Sequence, residues 1–257
     1  MKVYRYLEGR CLQRPAKRQK AIVFPLQSHP GVASNAPPIN AFVAVAATLF
    51  LFFTTGTAQQ TPGQETAPLS AEAQEAASQG VSFFRQNQLP EAREQFEKVT
   101  QLAPTHPFGW VNLGSTDFRL GQTDRAEEEL KMAIRLDPTA EQAWLTLGII
   151  CYQKDALDAG LAALSQAVYL DPKDAKAHLY LGVLIRKKGW LSGAEDEMRK
   201  ALELDEGNAE AHFNLAVLCL EEKPPATELA RRHYYRALDL GAQPDPELEL
   251  KFKKKSP

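Results

Sequence analysis

Trp110-Val111-Asn112-Leu113-Gly114-Ser115-Thr116-Asp117-Phe118-Arg119 decides the fold, because what it begins returns at a fixed distance. Its anchors Trp110, Leu113 and Gly114 continue into Ala126, Leu130, Ala133 and Pro138. A step of 34 residues gives Trp144, Leu147, Gly148, Gly160, Leu164, Ala167 and Pro172. The next step of 34 gives His178, Leu181, Gly182, Ala194, Met198, Ala201 and Glu206. Independent anchors recurring together mean stacked copies of one supersecondary unit, none able to bury its apolar face alone.

Inside a copy the spacing is helical. Trp110, Leu113, Gly114 and Asp117 share a face, and Ala126, Leu130 and Ala133 resume the stripe after a break at Gly121-Gln122-Thr123. Two amphipathic helices joined by a short turn are therefore expected. Gly80, Gly114, Gly148 and Gly182 fall in one register. A helical Gly costs about 1 kcal/mol relative to Ala, so the register implies that facing helices approach closely there. Asp137-Pro138 and Asp171-Pro172 end second helices, since the residue before Pro is pushed out of the helical region.

These residues resemble the tetratricopeptide repeat family, whose W-x2-L-G-x2-Y…A-x3-F…P signature has this period. The resemblance implies an all-α, right-handed α-α superhelix, a solenoid of about five helix-turn-helix units. The repeat domain is expected over 71–244, with units at 73–106, 107–140, 141–174, 175–208 and 209–244. The first unit has Ala76 and Gln79 where later ones carry Trp or His and Leu, as a polar N-terminal cap would. In the fifth, Lys223-Pro224-Pro225 lengthens the turn. Residues 245–257 are expected to hold a short cap built on Leu248, Leu250 and Phe252, then a basic tail of Lys251, Lys253, Lys254 and Lys255. So short a cap is expected to leave the C-terminal end partly apolar.

The N-terminus is of another kind. Lys2, Arg5, Arg10, Arg14, Lys17, Arg18 and Lys20 face one acid, Glu8, and a Pro-rich uncharged stretch completes 1–40, expected to be disordered. Ala41 to Phe53 is apolar but for Thr48, and Gly56 and Ala58 follow. Within 41–58 two readings fit: the apolar core of a cleaved secretory signal, or a single membrane anchor over 39–58 with the N-terminus in the cytoplasm. Either expects a protein of the cell envelope, exported or tethered. Residues 59–70 read as a flexible linker.

The whole chain has a net charge of −2; without 1–58 it keeps 23 of its 30 basic and 31 of its 32 acidic residues, or −8. So acidic a body excludes nucleic acid as the expected partner. Chemistry is equally unsupported. Cys151 and Cys219 share a position two units apart, too far for a disulfide, and read as small buried hydrophobes. His178 and His212 stand where Trp110 and Trp144 do, and no metal-ligand spacing surrounds them. His233 has no partner that the sequence justifies. Clusters such as Glu127-Glu128-Glu129 lie beside Arg125 and Lys131 and read as solvated faces. No phosphate loop or nucleophile elbow is present. No enzyme, cofactor or metal is expected.

What remains is surface. The resemblance implies that first helices line a concave groove for a protein segment. Carried onto this chain, the groove columns are Phe84, Phe118, Tyr152, Arg186 and Leu220; Arg85, Arg119, Gln153, Lys187 and Glu221; Ala77, Val111, Leu145, Leu179 and Phe213; and Ser78, Asn112, Thr146, Tyr180 and Asn214. Phe84, Arg85, Phe118, Arg119, Tyr152, Tyr180, Arg186, Lys187 and Phe213 are the candidate contacts, an apolar-aromatic floor with a basic margin. The competing reading packs Phe84, Phe118 and Tyr152 between first helices. Val111, Leu145 and Ser115 replace the Lys and Asn that the carboxylate-clamp subset of the family needs. The expected function is a binding scaffold; the alternative is self-assembly by stacking of solenoid ends through Tyr234, Tyr235 and Leu240.

Overall fold

The computed structural model describes residues 68–253. They form eleven α-helices and no strand. First helices α1 (Ala71–Arg85), α3 (Pro107–Arg119), α5 (Glu141–Gln153), α7 (Ala175–Lys187) and α9 (Ala209–Glu221) alternate with second helices. The second helices are α2 (Leu89–Leu102), α4 (Thr123–Leu136), α6 (Leu157–Leu170), α8 (Leu191–Leu204) and α10 (Thr227–Asp239); α11 (Pro246–Lys253) closes the series. The expectations for residues 1–67, including the apolar run, lie outside the described residues. No helix among the described residues is long and apolar enough to cross a membrane.

Local chemistry sets the helix ends. Ser70 Oγ accepts from Ala73 N–H at 3.2 Å to open α1, Asp174 caps α7 through Lys176 N–H at 2.8 Å, and Asn208 caps α9 through Ala211 N–H at 2.9 Å. Each of these satisfies a backbone donor that the first turn leaves unpaired. The turn inside a unit requires one left-handed residue: Asn87 (φ 60°), Gly121 (78°), Asp155 (61°) and Gly189 (83°) recur at the repeat distance. Asn, Asp and Gly are the residues that tolerate this region.

Each hairpin closes on the inward stripe of its second helix. Ala92 and Phe96, Ala126 and Leu130, Leu164 and Ala167, Ala194 and Met198, and Ala230 and Tyr234 are all fully buried. Burying a Leu or Met side chain contributes about 1.5–3 kcal/mol, so these columns carry much of each unit's stability. The glycine register follows from the packing: a Cβ on Gly114 would lie 2.8 Å from Leu130, and one on Gly182 2.9 Å from Met198. Each second helix packs on the following first helix, and α3, α5, α7 and α9 touch in order. The result is the solenoid read from the repeat.

At the C-terminus the short cap forms, and one residue of the stacking reading is lost to it. α11 lays Leu248 and Phe252, both buried, against the last hairpin, with the Phe252 ring 5.4 Å from Tyr234. Tyr234 is fully buried, and its hydroxyl accepts from Asp245 N–H at 2.7 Å. Arg231 donates to the Phe252 carbonyl at 3.0 Å. The cap therefore covers part of the end, and Tyr234 is not a surface for stacking another copy; Tyr235 and Leu250 remain exposed, leaving the end partly apolar.

Candidate functional site

The first helices form a continuous wall, and the candidate residues divide on it by burial. Tyr180, 2 % exposed, and Phe213, 8 % exposed, are buried, which corrects their reading as groove contacts. The family's groove positions placed them on the open face; in the stack Leu145, Leu179 and Val183 are buried with them. Phe84 is half-buried against Ala92, Phe96 and Leu113, and Phe118 against Ala126, Leu130 and Ile150. Tyr152 is half-buried, while Arg85, Arg119 and Lys187 are exposed. Both sequence readings of the aromatic column thus describe part of it: each ring is partly packed and partly exposed.

The basic margin is not a row of free charges. Arg119 places its guanidinium 4.5 Å over the Phe84 ring and donates to Asn87 Oδ1 at 2.6 Å. Lys187 sits 5.0 Å over the Tyr152 ring and pairs with Asp155 at 2.6 Å. Arg186 pairs with Glu221 of the following unit at 2.6 Å. Lys154 bridges back to Asp124 at 2.6 Å and Glu127 at 2.5 Å, and Lys188 pairs with Asp158. Cations at the end of a first helix therefore tie consecutive units. Each exposed tie is worth about 0–1 kcal/mol, and a cation over a ring at an exposed site about 0.5–1 kcal/mol.

Acids along the wall are less charged than their number suggests. Burial lifts the Glu210 carboxyl to about 8 although Lys176 lies nearby. Burial, then the hydrogen bond to Asp174, lifts Glu141 to about 7. Lys176 also lies 5.9 Å from the Tyr180 ring.

The histidines are structural ties that follow the tryptophans they replace. Trp110 and Trp144 donate Nε1–H to the Pro104 and Pro138 carbonyls, each at 2.8 Å, and His178 Nε2 meets the Pro172 carbonyl at 3.1 Å. Its Nδ1 is 2.7 Å from Glu197 on α8. A carbonyl and a carboxylate only accept, so both ring nitrogens carry hydrogen, and the Glu197 hydrogen bond raises the His178 pKa. His212 Nδ1 faces His233 Nδ1 at 2.9 Å, so one ring donates and the other accepts. Burial depresses both. His233 thus has the partner the sequence withheld. The signal was present in the register, since Glu197 and His233 are equivalent residues of successive second helices.

A buried polar cluster went unread in the sequence. Asp117, fully buried, stands where other units have Phe83, Cys151, Ile185 and Cys219, and Arg93 Nε meets its Oδ1 at 2.8 Å. Glu129 lies beside it. Burial first, and the Asp117 charge second, lift Glu129 to about 7. Among the described residues no group of three or more His, Cys, Asp or Glu is arranged to hold a metal. Both described cysteines are buried free thiols, Cys219 pushed up to about 11.

Comparison with known proteins agrees with this architecture. Among solved structures, the MamA 41-end protein from Desulfovibrio magneticus RS-1 is 19 % identical with TM-score 0.57, covering 73 % of this chain and 100 % of that one. YrrB, described as a TPR protein with an unusual peptide-binding site, is 23 % identical with TM-score 0.55, covering 71 % and 92 %. Pseudomonas aeruginosa PilF is 17 % identical with TM-score 0.60, covering 67 % and 78 %. Likenesses at this identity establish the fold. A search of the curated proteins found no match. A family model described as the cilia and flagella-associated protein 70 C-terminal domain matches residues 57–250, well over half of the chain. The chain therefore belongs to that family of tetratricopeptide-repeat solenoids.

Proposed function

We propose that this chain is a non-enzymatic scaffold that holds a segment of another protein along its wall of first helices. The observation that carries the reading is the column Phe84, Phe118 and Tyr152, half-buried rings bordered by exposed Arg85, Arg119 and Lys187. Half-buried rings with Arg beside them are the composition of interface anchors. That YrrB is described as having a peptide-binding site supports the same use of the fold. The histidines and buried thiols are spent on holding hairpins together, which supports the non-catalytic reading.

The proposed setting is the cell envelope, supported by the basic start and the apolar run of 41–53. N-terminal sequencing of the native protein tests it: a chain beginning near residue 59 is expected from a cleaved signal, and one retaining 39–58 from an anchor. A native chain recovered from the cytosol with 41–53 intact overturns it. The binding reading is tested by crosslinking in native cells with Arg119→Ala and Lys187→Ala combined, and with Tyr152→Ala. These positions are exposed or half-buried, so helicity is expected to persist while capture falls. Unchanged capture in all of them refutes the wall as the site.

A further inference from the structure

Two of the margin cations share one environment. The Phe84 ring and Asn87 hold Arg119, and the Tyr152 ring and Asp155 hold Lys187. In each case the ring and the polar acceptor lie three residues apart on the preceding unit, one in the last turn of its first helix and one at its left-handed turn residue. Arg85 is the equivalent cation of the first unit. No unit precedes it among the described residues, its side chain is exposed, and it makes no ion pair or hydrogen bond among them. Its charge complements the C-terminal carbonyls of α1, yet nothing described covers it.

Arg85 borders an open pocket of about 550 Å³ with Ala77, Ser78, Val81, Ser82 and Phe108. Ser78 and Ser82 are exposed; of their equivalents Asn112 is half-buried, and Thr146, Tyr180 and Asn214, with Thr116, Ile150, Leu184 and Leu218, are buried in the stack. The pocket therefore occupies the face that later units use for packing. It combines a small-residue floor, one aromatic wall and an unmatched cation.

We propose that Arg85 and this pocket dock a partner segment carrying an aromatic residue and, three residues later, Asp or Asn. This rests on the scaffold reading and names the chemistry of its partner. The occupant supplies at the end of the stack what each preceding unit supplies inside it: a ring face for the guanidinium and an acceptor for its N–H groups. Charge complementarity favours Asp over Asn. End-to-end stacking of a second copy does not offer the pair, because the equivalent residues of its last unit are Leu220 and Lys223, and Lys223 would repel Arg85; the pairs Phe84/Asn87 and Tyr152/Asp155 are already engaged by Arg119 and Lys187.

The test titrates the full-length chain with a fluorescein-labelled, Ala- and Gln-based helical peptide carrying Tyr-Gln-Lys-Asp, and with its Ala-Gln-Lys-Ala counterpart. Anisotropy reads affinity, and amide NMR reads position. The first peptide is expected to bind roughly tenfold more tightly, from one cation–ring contact and one ion pair, and to shift amides of residues 77–86 and 108. Arg85→Gln should remove that advantage, and Arg135→Gln, at an exposed arginine of α4 away from the wall, should leave it. Equal affinity of the two peptides, or indifference to Arg85→Gln, overturns the proposal. Shifts along Phe118 and Tyr152 with Arg85→Gln silent overturn the subsite and leave the scaffold reading standing. A dimer by light scattering that Arg85→Gln abolishes overturns it in favour of a second copy.

Discussion

Gly148→Ala separates packing from propensity as the cause of the glycine register. A Cβ at this position in α5 would lie 2.5 Å from Leu164 Cγ and 2.8 Å from Cδ2, with the Leu164 nitrogen at 3.2 Å behind them. Leu164 is fully buried and has no solvent to swing into. Two effects compete. Ala gains about 1 kcal/mol over Gly in helix propensity. Overpacking a core costs roughly 1–3 kcal/mol, and a carbon pair more than about 1 Å inside its optimum of about 3.5–4.0 Å belongs at the upper end. The substitution should therefore destabilise by about 1–2 kcal/mol, the opposite of its effect on an open helix face.

Urea unfolding read by tryptophan fluorescence, with Trp110 and Trp190 replaced by Phe in every variant so that Trp144 alone reports, suits this test, because Trp144 packs beside Leu147, Cys151 and Ala163 in the same hairpin. Far-UV circular dichroism supplies the global transition, since repeat arrays need not unfold as one unit. Leu164→Ala opens the space the new methyl needs. On that background Gly148→Ala should be neutral or stabilising, giving a coupling of about 2 kcal/mol in the double-mutant cycle. Additive effects, or a Gly148→Ala protein at least as stable as its parent, would refute close approach as the reason for glycine.

Three further outcomes follow from the polar ties. Glu197 raises the His178 pKa above 6.5, so the pair's stability is complete below about pH 6.5 and fades as pH rises through the higher folded value; the parent's lead over Glu197→Gln in urea midpoint should shrink from pH 6 to pH 9. His233 has the opposite sign: its folded pKa is depressed below 6.5, so stability is present above that value and lost on acidification, and His233→Phe should flatten the decline in melting temperature below about pH 6.5. Arg93→Ala strands the buried Asp117 carboxylate and should cost about 3–5 kcal/mol, whereas Arg93→Leu with Asp117→Leu should restore most of it, both read by urea unfolding.

The repeated anchors were legible because a packing column must recur wherever the same hairpin meets its neighbour. Leu130, Leu164 and Met198 need small residues opposite, and Gly114, Gly148 and Gly182 announce the need in the same register. The ties between units carried the same signal in weaker form. Lys154–Asp124 and Lys188–Asp158 recur at the repeat distance, and Arg119–Asn87 and Lys187–Asp155 at twice it, but a Lys at a helix end reads as a solvated charge from one copy alone. Tyr180 and Phe213 were misplaced because groove positions carried over from a family do not show how far the next first helix closes over them, which depends on the angle between units. His233 was legible in principle, by aligning it with Glu197 and asking what faces His212.

The margin cations change what counts as a binding surface. A lysine or arginine counted from sequence contributes a free charge to the wall, but Arg119, Lys187 and Arg186 already have acceptors in the protein. A partner's carboxylate must therefore compete with Asn87, Asp155 or Glu221 at those positions, and replacing one exposed pair by another gains little. The exposed parts of Phe84, Phe118 and Tyr152 offer more, because Phe84 and Phe118 are held by the core, Phe84 and Tyr152 by the cations over them, and all lose little freedom when covered. Apolar contact along the aromatic column should therefore dominate affinity, with charge selecting the partner chiefly at Arg85, the margin cation without an acceptor among the described residues.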